Sequence, residues 1–194
     1  MGQPAEQLAE ATYADLEALP SNMVGQLLHG LLYAMPRPAS LHTLACSSLG
    51  DELVGPFQKS RGGPGGWWIL DEPELHFANP RVKAGKDVLV PDLAGWRRER
   101  MPEVLDAPFF TLAPDWICEV LSPSTEEIDR EKKMPIYLRE GVRDVWLVDP
   151  VKRTLEWYAR RDRRWLGGGR WGGNERVRVA PFEAVEIELG VLWG

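Results

Sequence analysis

The spacing of hydrophobic residues predicts three elements in the first third of the chain. Apolar residues dominate residues 23–35, with two glycines between them, and this pattern favours a β-hairpin. Leucine and alanine then recur at helical spacing over residues 40–57, so we predict an amphipathic helix capped by Ser40. A shorter helix is predicted at residues 13–19, because Thr12 can cap it and a proline follows it directly.

The middle of the chain has the shorter apolar runs that are typical of β-strands. Residues 67–70, 74–77 and 88–97 predict successive strands, and the short connections between them favour antiparallel pairing. Residues 116–121 are almost continuously hydrophobic, as expected of a strand buried on both faces. We therefore expect this last strand to be central in a sheet.

A helix is predicted at residues 126–140, after the central strand. Ser124 or Thr125 can cap it, Gly141 can end it in a left-handed conformation, and Pro135 predicts a kink or a late start. Residues 144–148 and 154–158 predict further strands, so the order strand, helix, strand favours a parallel crossover. The predicted fold class is therefore α/β, with a mixed sheet, flanking helices and extra β-hairpins.

Composition narrows the class of protein. The 44% share of hydrophobic residues is ordinary for a globular protein, and we expect one domain with an extension (residues 1–20), a core (21–158) and a β-rich tail (159–194). A net charge of −6 argues against a protein that coats nucleic acid by bulk attraction, but it is compatible with a local basic groove. The polar first residues do not resemble a signal peptide, and no apolar run could span a membrane. Both cysteines lie among apolar residues, so we expect a cytoplasmic protein with reduced thiols.

Two acids stand alone in apolar surroundings. Asp92 follows a Val-Pro pair, and Glu119 lies inside the predicted central strand, where a charge is unfavourable unless it is paired or binds a metal. The two strands are predicted neighbours, so both carboxylates could meet at one end of the sheet and bind Mg²⁺ or Mn²⁺. In the structural alternative, Asp92 caps or turns the chain, and Glu119 pairs with a buried arginine such as Arg130 or Arg139.

The three histidines show no spacing that is typical of metal ligands, so we do not expect a zinc site. His42 and Glu52 lie on the predicted first long helix, where polar side chains commonly face solvent. We assign His42 no chemistry. Two arginine clusters, at residues 97–100 and 160–164, could contact phosphates or solvate a turn.

Several segments carry a resemblance to a known family. They are Val90-Pro91-Asp92, residues 117–125, Asp129-Arg130, Lys133, Tyr137, Gly141-Val142 and residues 145–150. These segments resemble a bacterial family of putative restriction endonucleases, formerly a domain of unknown function, which is placed in the PD-(D/E)XK nuclease superfamily.

The resemblance implies a restriction-endonuclease-like core in which an Asp and a Glu hold a divalent metal. Asp92 matches the first acid of the motif, and Glu119 matches the second. The lysine that usually stands two residues after this Glu is replaced by Leu121. The resemblance then implies that the following helix supplies the lysine, as Lys133 or, as the fallback, Lys132.

Other positions are less close to the family pattern. An acid on the first core helix often assists in this superfamily, and Glu52 is the weak candidate for that role. Gln26 and His29 stand where relatives commonly carry acids, and Pro135 interrupts the helix that must present Lys133.

Three hypotheses follow. The first is an endonuclease that depends on Mg²⁺ or Mn²⁺ and hydrolyses DNA phosphodiester bonds, with Asp92 and Glu119 as metal ligands and Lys133 assisting the attacking water. A homodimer would suit such an enzyme, because two identical sites could cut two strands. The second is a catalytically inactive protein with a nuclease fold that binds DNA or a protein partner. The third is a structural or dimerising domain whose buried acids pair only with arginines.

Overall fold

The computed structural model describes residues 6–8, 10–104 and 106–194, so part of the predicted extension, residues 1–5 and 9, lies outside it. The strands are Glu6–Leu8 (β1), Met23–Leu28 (β2), Leu31–Pro36 (β3), Trp67–Asp71 (β4), Leu75–Ala78 (β5), Lys86–Leu89 (β6), Leu93–Arg97 (β7), Trp116–Val120 (β8), Asp144–Asp149 (β9), Thr154–Arg161 (β10), Arg164–Gly172 (β11), Arg176–Val177 (β12) and Ile187–Glu188 (β13). The α-helices are Tyr13–Glu17 (α1), Ser40–Leu53 (α2), Glu126–Ile128 (α3) and Met134–Glu140 (α4). π-helical turns at Val54–Gln58 and Asp129–Lys133 and a 3₁₀ helix at Leu189–Leu192 complete the described helical segments.

A six-stranded sheet is built around β8. Its strand order is β11-β10-β9-β8-β7-β4. β8 pairs antiparallel with β7 and parallel with β9, and all five of its residues are buried. The chain crosses from β8 to β9 through α3 and α4, so the predicted central strand, parallel crossover and mixed sheet are confirmed.

A five-stranded sheet contains the predicted N-terminal hairpin. Its order is β1-β3-β2-β6-β5, and all of its pairs are antiparallel. The hairpin of β2 and β3 turns at His29 and Gly30, which both have positive φ. Such values suit the tight turns that join neighbouring antiparallel strands.

The prediction of one strand over residues 88–97 is wrong. This segment forms the end of β6 in the five-stranded sheet and all of β7 in the six-stranded sheet. Pro91 lies between the two strands, and proline has no N–H to donate to a continuing ladder. Asp92 therefore lies where the chain passes from one sheet to the other.

The helix after β8 is interrupted, as Pro135 predicts. α3 ends at Ile128, a π-helical turn follows, and α4 begins at Met134. Pro135 lies in the first turn of α4, where a missing N–H is tolerated, but it cannot donate to the carbonyl group one turn earlier, so the α-helical hydrogen bonds do not continue from α3 into α4. Gly141 has a φ of 88° and ends α4 as predicted.

The first two helices follow their predictions with small differences. Thr12 and Asp15 form a capping box at α1, in which the Thr12 backbone N–H donates to the Asp15 carboxylate over 2.7 Å. In α2, Ala39 is the capping residue and Ser40 is the first helical residue, so the predicted cap is one position too late. Among the described residues, no helix combines the length and the apolar character needed to cross a membrane.

Two hydrophobic clusters cover the two faces of the six-stranded sheet. On one face, α2 and the C-terminal tail pack against β8 and β9 through residues such as Leu49, Trp116 and Phe182. On the other face, α4 packs against the same strands through Ile136 and Tyr137. Side chains alternate along β8 between these two faces, and Glu119 therefore points to the α4 face.

Candidate acid cluster and cavity at the end of β8

Asp92 connects the start of β7 to the end of β8. Its backbone carbonyl accepts a hydrogen bond from the N–H of Glu72 (3.1 Å), which extends the pairing of β4 with β7 by one residue. Its carboxylate accepts a hydrogen bond from the N–H of Val120 (2.6 Å). Leu93 pairs with Cys118 at the end of the ladder of β7 and β8, so Asp92 and Glu119 each adjoin this last pair. The two acids therefore lie at the same end of β8.

Glu119 is a carboxylate enclosed by the α4 layer. It is 1% exposed, the Lys133 Nζ lies 2.9 Å from its Oε2, and the Tyr137 hydroxyl donates to its Oε1. The arginines that the structural alternative offered as its partners bind elsewhere: Arg130 pairs with Glu126 and Glu156, and Arg139 pairs with Asp87 and Glu140. The structure therefore corrects that alternative, because a lysine and a tyrosine hold Glu119.

Lys133 joins the acids of this region. It lies in the π-helical turn and is 4% exposed, and its Nζ is also 2.9 Å from Oδ1 of Asp129. Four-residue intervals separate Asp129, Lys133 and Tyr137 in the sequence. Their side chains therefore lie on one face of the helical segment, and this face is turned towards Glu119. Burial lowers the pKa of the Lys133 ammonium, but the charges of Asp129, Glu119 and Asp92 outweigh it and hold this pKa above its ordinary value. Lys133 is therefore a cation at neutral pH.

Glu119, Asp129 and Asp92 lie close together, and their negative charges destabilise one another when all three are ionised. Burial raises the pKa of Glu119 to about 8; the nearby Asp129 and Asp92 add to the rise, while Lys133 and Tyr137 oppose it. The pKa of Asp129 is also raised, again mainly by burial. A bound divalent cation would favour the ionised forms of both carboxylates, because an opposite charge nearby lowers an acid's pKa. The region is thus electrostatically suited to a cation.

A cavity of about 240 Å³ opens beside the cluster. Its lining residues are Val24, Gln26, Met35, Arg37, Pro38, Ala39, His42, Glu72, Val90, Asp92, Val120, Ser122, Pro123, Ser124, Thr125, Asp129 and Lys133. Glu119 is not one of these residues and lies behind Lys133. Oxygen ligands from Asp92 and Glu119 fit Mg²⁺ or Mn²⁺, and such an ion would need one Glu119 oxygen to exchange Lys133 or Tyr137 for the metal.

His42 also belongs to this region, although sequence reasoning assigned it no chemistry. Its Nε2 lies 3.2 Å from Oδ1 of Asp92, and its Nδ1 lies 3.6 Å from the Cys46 sulfur. Burial lowers the pKa of His42, but the hydrogen bond to Asp92 and the charge of Asp92 outweigh this effect and leave that pKa raised. The four-residue spacing of His42 and Cys46 on α2 is the signal that the sequence contained.

The remaining predicted candidates lie apart from Asp92. Glu52 follows His42 by ten residues on α2, which corresponds to about 15 Å along the helix axis. Burial raises the pKa of Glu52, with smaller contributions from Asp51 and Glu188. Lys132 is half-buried, and its backbone carbonyl lies 3.2 Å from Nε2 of His29.

The two positions where relatives carry acids have different surroundings. Gln26 lines the cavity, and its side-chain oxygen accepts a hydrogen bond from the N–H of Val90 (3.0 Å). His29 lies in the β2–β3 turn, and its N–H donates to Asp87 over 2.7 Å. Gln26 thus stabilises the segment between β6 and Asp92.

Both arginine clusters lie at the other end of the six-stranded sheet. Ala159 pairs with Asp144, which in turn pairs with Trp116 at the start of β8. Residues 160–164 therefore lie near the start of β8. In the first cluster, Arg98 donates to the carbonyl of Gln58 over 2.7 Å, and the Arg100 Nη1 lies 2.8 Å from Oδ1 of Asp115. These two arginines therefore pack within the protein, far from Glu119 along the strand.

The chain is similar to a protein of known structure and to a protein family. A crystal structure from Anabaena variabilis ATCC 29413, described as a putative nuclease belonging to DUF820, has a TM-score of 0.72 with 21% sequence identity, over 94% of this chain and 97% of that chain. This likeness confirms the predicted fold. None of the curated proteins matches the sequence. The model of the Uma2 family, described as putative restriction endonuclease, matches residues 11–190, and the chain therefore belongs to this family.

Proposed function

We propose that this protein is a metal-dependent endonuclease that hydrolyses phosphodiester bonds in DNA. The observation that carries the proposal is that Asp92 binds the N–H of Val120, the residue after Glu119, while Lys133 binds Glu119 itself. The family to which the chain belongs supports a nucleic-acid substrate. Asp92 and Glu119 would hold Mg²⁺ or Mn²⁺ through their oxygens, and such an ion would polarise the phosphate and activate water.

In this proposal, the residues around Glu119 have different roles. The raised pKa of Lys133 makes it a poor proton acceptor near neutral pH. Its ammonium is suited instead to neutralise the charge that develops on the phosphate, and to orient the attacking water. Tyr137 holds the Glu119 carboxylate from the side of α4, so it positions this carboxylate. Asp129 holds the Lys133 ammonium in the same way.

The test is cleavage of supercoiled plasmid DNA with Mg²⁺ or Mn²⁺, beside a sample with chelator. The wild-type protein should nick the plasmid only with metal, and Asp92→Asn and Glu119→Gln should each abolish nicking while circular dichroism shows a folded protein. Full activity in both variants would contradict the assignment of these residues. Light scattering of the same samples, with and without DNA, tests the proposed homodimer.

A second candidate function is an inactive nuclease fold that binds DNA or a protein partner. The observation that favours it is the closure of Glu119: both carboxylate oxygens already have partners, and the side chain does not line the cavity. This candidate predicts a shifted DNA band in a gel without cleavage by any metal. Cleavage that requires Asp92 and Glu119 would exclude it.

A further inference from the structure

A second group of potential metal ligands lies on the α2 side of Asp92. His42, Cys46 and Asp92 each offer one ligand atom, and these three atoms lie within 4.8 Å of one another. All three residues are half-buried. The group differs from the Asp92 and Glu119 pair, because its two other members belong to α2, whereas Glu119 belongs to β8.

The ligand types favour a different ion from Mg²⁺. A cysteine sulfur and an imidazole nitrogen suit Zn²⁺, whereas Mg²⁺ prefers oxygen ligands and binds thiolates poorly. The Cys46 sulfur lies 3.6 Å from Nδ1 of His42. Tetrahedral zinc with bonds of about 2.0–2.3 Å sets its ligands about 3.3–3.8 Å apart, so this pair needs little movement.

The third ligand and an open position complete the geometry. Asp92 contacts the other ring nitrogen of His42, over 3.2 Å. One ion takes only one nitrogen of a histidine ring, so the ring or the Asp92 carboxylate must rotate to bring both ligands to the ion. His42 and Asp92 line the cavity, so a fourth position could hold water from it.

We propose that His42, Cys46 and Asp92 form a zinc site that shares Asp92 with the Mg²⁺ site of the proposed nuclease. Zinc binding displaces the thiol proton of Cys46 to solvent and involves no change of oxidation state. Zinc bound there occupies the carboxylate that Mg²⁺ requires. Zinc therefore acts as an inhibitor of cleavage, and this consequence, unlike the zinc site itself, rests on the proposed function.

The site is tested with Co²⁺ as a spectroscopic probe for Zn²⁺. Wild-type protein, purified with reductant and freed of metal, should develop a thiolate-to-cobalt charge-transfer band in the near ultraviolet, and one equivalent of Zn²⁺ should remove it. Cys46→Ser and His42→Asn should each abolish the band or weaken cobalt binding about 10-fold or more. Cys118→Ser, which changes the other cysteine, and Glu119→Gln, which changes the other acid, should retain it.

Two results would overturn the zinc site: no thiolate band in the folded wild-type protein, or a band that persists in Cys46→Ser. Neither result depends on DNA cleavage, so the zinc site and the nuclease can fail separately. If plasmid cleavage with Mg²⁺ is observed, the ratio of rates with and without Zn²⁺ tests the shared carboxylate. The inhibition should be weaker in Cys46→Ser, and equal inhibition in this variant would overturn the proposed competition.

Discussion

Asp115 and Glu119 lie four residues apart at the two ends of β8 and are both 1% exposed, but their surroundings are opposite. Asp115 forms ion pairs with two arginines, because the Arg100 Nη1 lies 2.8 Å and the Arg143 Nε 3.8 Å from its Oδ1. The Arg97 N–H donates a hydrogen bond to its Oδ2. Arg100 and Arg143 remain 32% and 63% exposed, so water also solvates them.

Glu119 faces a shortage of positive charge. Its partner Lys133 is shared with Asp129, and Asp92 lies close enough to raise the pKa of Glu119 further. A cavity adjoins this end of the strand. The comparison teaches that burial alone does not identify a candidate metal ligand, because Asp115 is equally buried and already pairs with two arginines. The excess of acid beside a cavity distinguishes Glu119.

The largest expected difference between the two ends concerns cleavage. Glu119→Gln should lower metal-dependent plasmid cleavage by about 100-fold or more, because it removes a charged ligand from the proposed site. Asp115→Asn should change the rate only a few-fold, since it lies at the far end of β8. Initial rates of nicking by folded variants provide the measurement. Similar losses in the two variants would mean that the two ends do not differ in function.

The second difference concerns stability. Lys133→Met leaves two buried carboxylates without their shared cation and should lower the free energy of unfolding by about 3–5 kcal/mol. Arg100→Met is the matched change at the other end, and it should cost about 1 kcal/mol because Arg100 is partly solvated and Asp115 keeps the Arg97 N–H and the charge of Arg143. Urea unfolding at neutral pH measures both values. Equal losses would contradict the proposed difference in charge balance.

A smaller difference concerns the pH dependence of stability without metal. The pKa of Glu119 rises on folding from 4.5 to about 8, so the folded state binds more protons than the unfolded state between these values. Stability therefore falls as pH rises through this window. We expect the Tm in chelator to fall by several degrees from about pH 5 to about pH 8, with Asp129 contributing in the same direction.

Two variants show whether Glu119 causes this dependence of Tm on pH. Glu119→Gln should flatten the dependence of Tm on pH, because the amide does not titrate, and Asp115→Asn should retain it. An unchanged slope in Glu119→Gln would show that other groups cause the fall.

The smallest expected effect is at Glu52. Its side chain lies along α2 away from Asp92, so Glu52→Gln should change both the cleavage rate and the free energy of unfolding little, the latter by about 0.5 kcal/mol or less. The plasmid and urea assays above measure these quantities. A large loss of cleavage with normal stability would instead assign Glu52 the assisting role that the family resemblance implies.

Much of the fold follows from local patterns in the sequence. The continuous apolar run of β8 predicts its central place, and the helix that follows it predicts the parallel crossover to β9. Pro135 predicts the break in the helix, because the missing N–H of a proline affects only the neighbouring turn and does not depend on distant residues. The division of residues 88–97 between two sheets could not be read in this way, since the choice of a strand's partners depends on residues far away in the chain.

The site shows the same limit. Asp92 and Glu119 could be identified as isolated acids in apolar surroundings, and Lys133 through the family resemblance. The contact of His42 with Asp92 joins residues 50 positions apart in sequence on two different elements, and no periodicity predicts it. The pairing of Glu119 with Lys133 rather than with an arginine depends on the π-helical turn, which the sequence indicates only as an interruption.

The most direct test of the central claim is calorimetric titration of the metal-free protein with Mn²⁺, in the presence of a short DNA duplex. Wild-type protein and Asp115→Asn should bind the ion, whereas Asp92→Asn and Glu119→Gln should lose this binding. This result would place the metal at the Glu119 end of β8. Unchanged binding in both Asp92→Asn and Glu119→Gln, or no binding by the folded wild-type protein, would contradict the claim that these two carboxylates form a metal site.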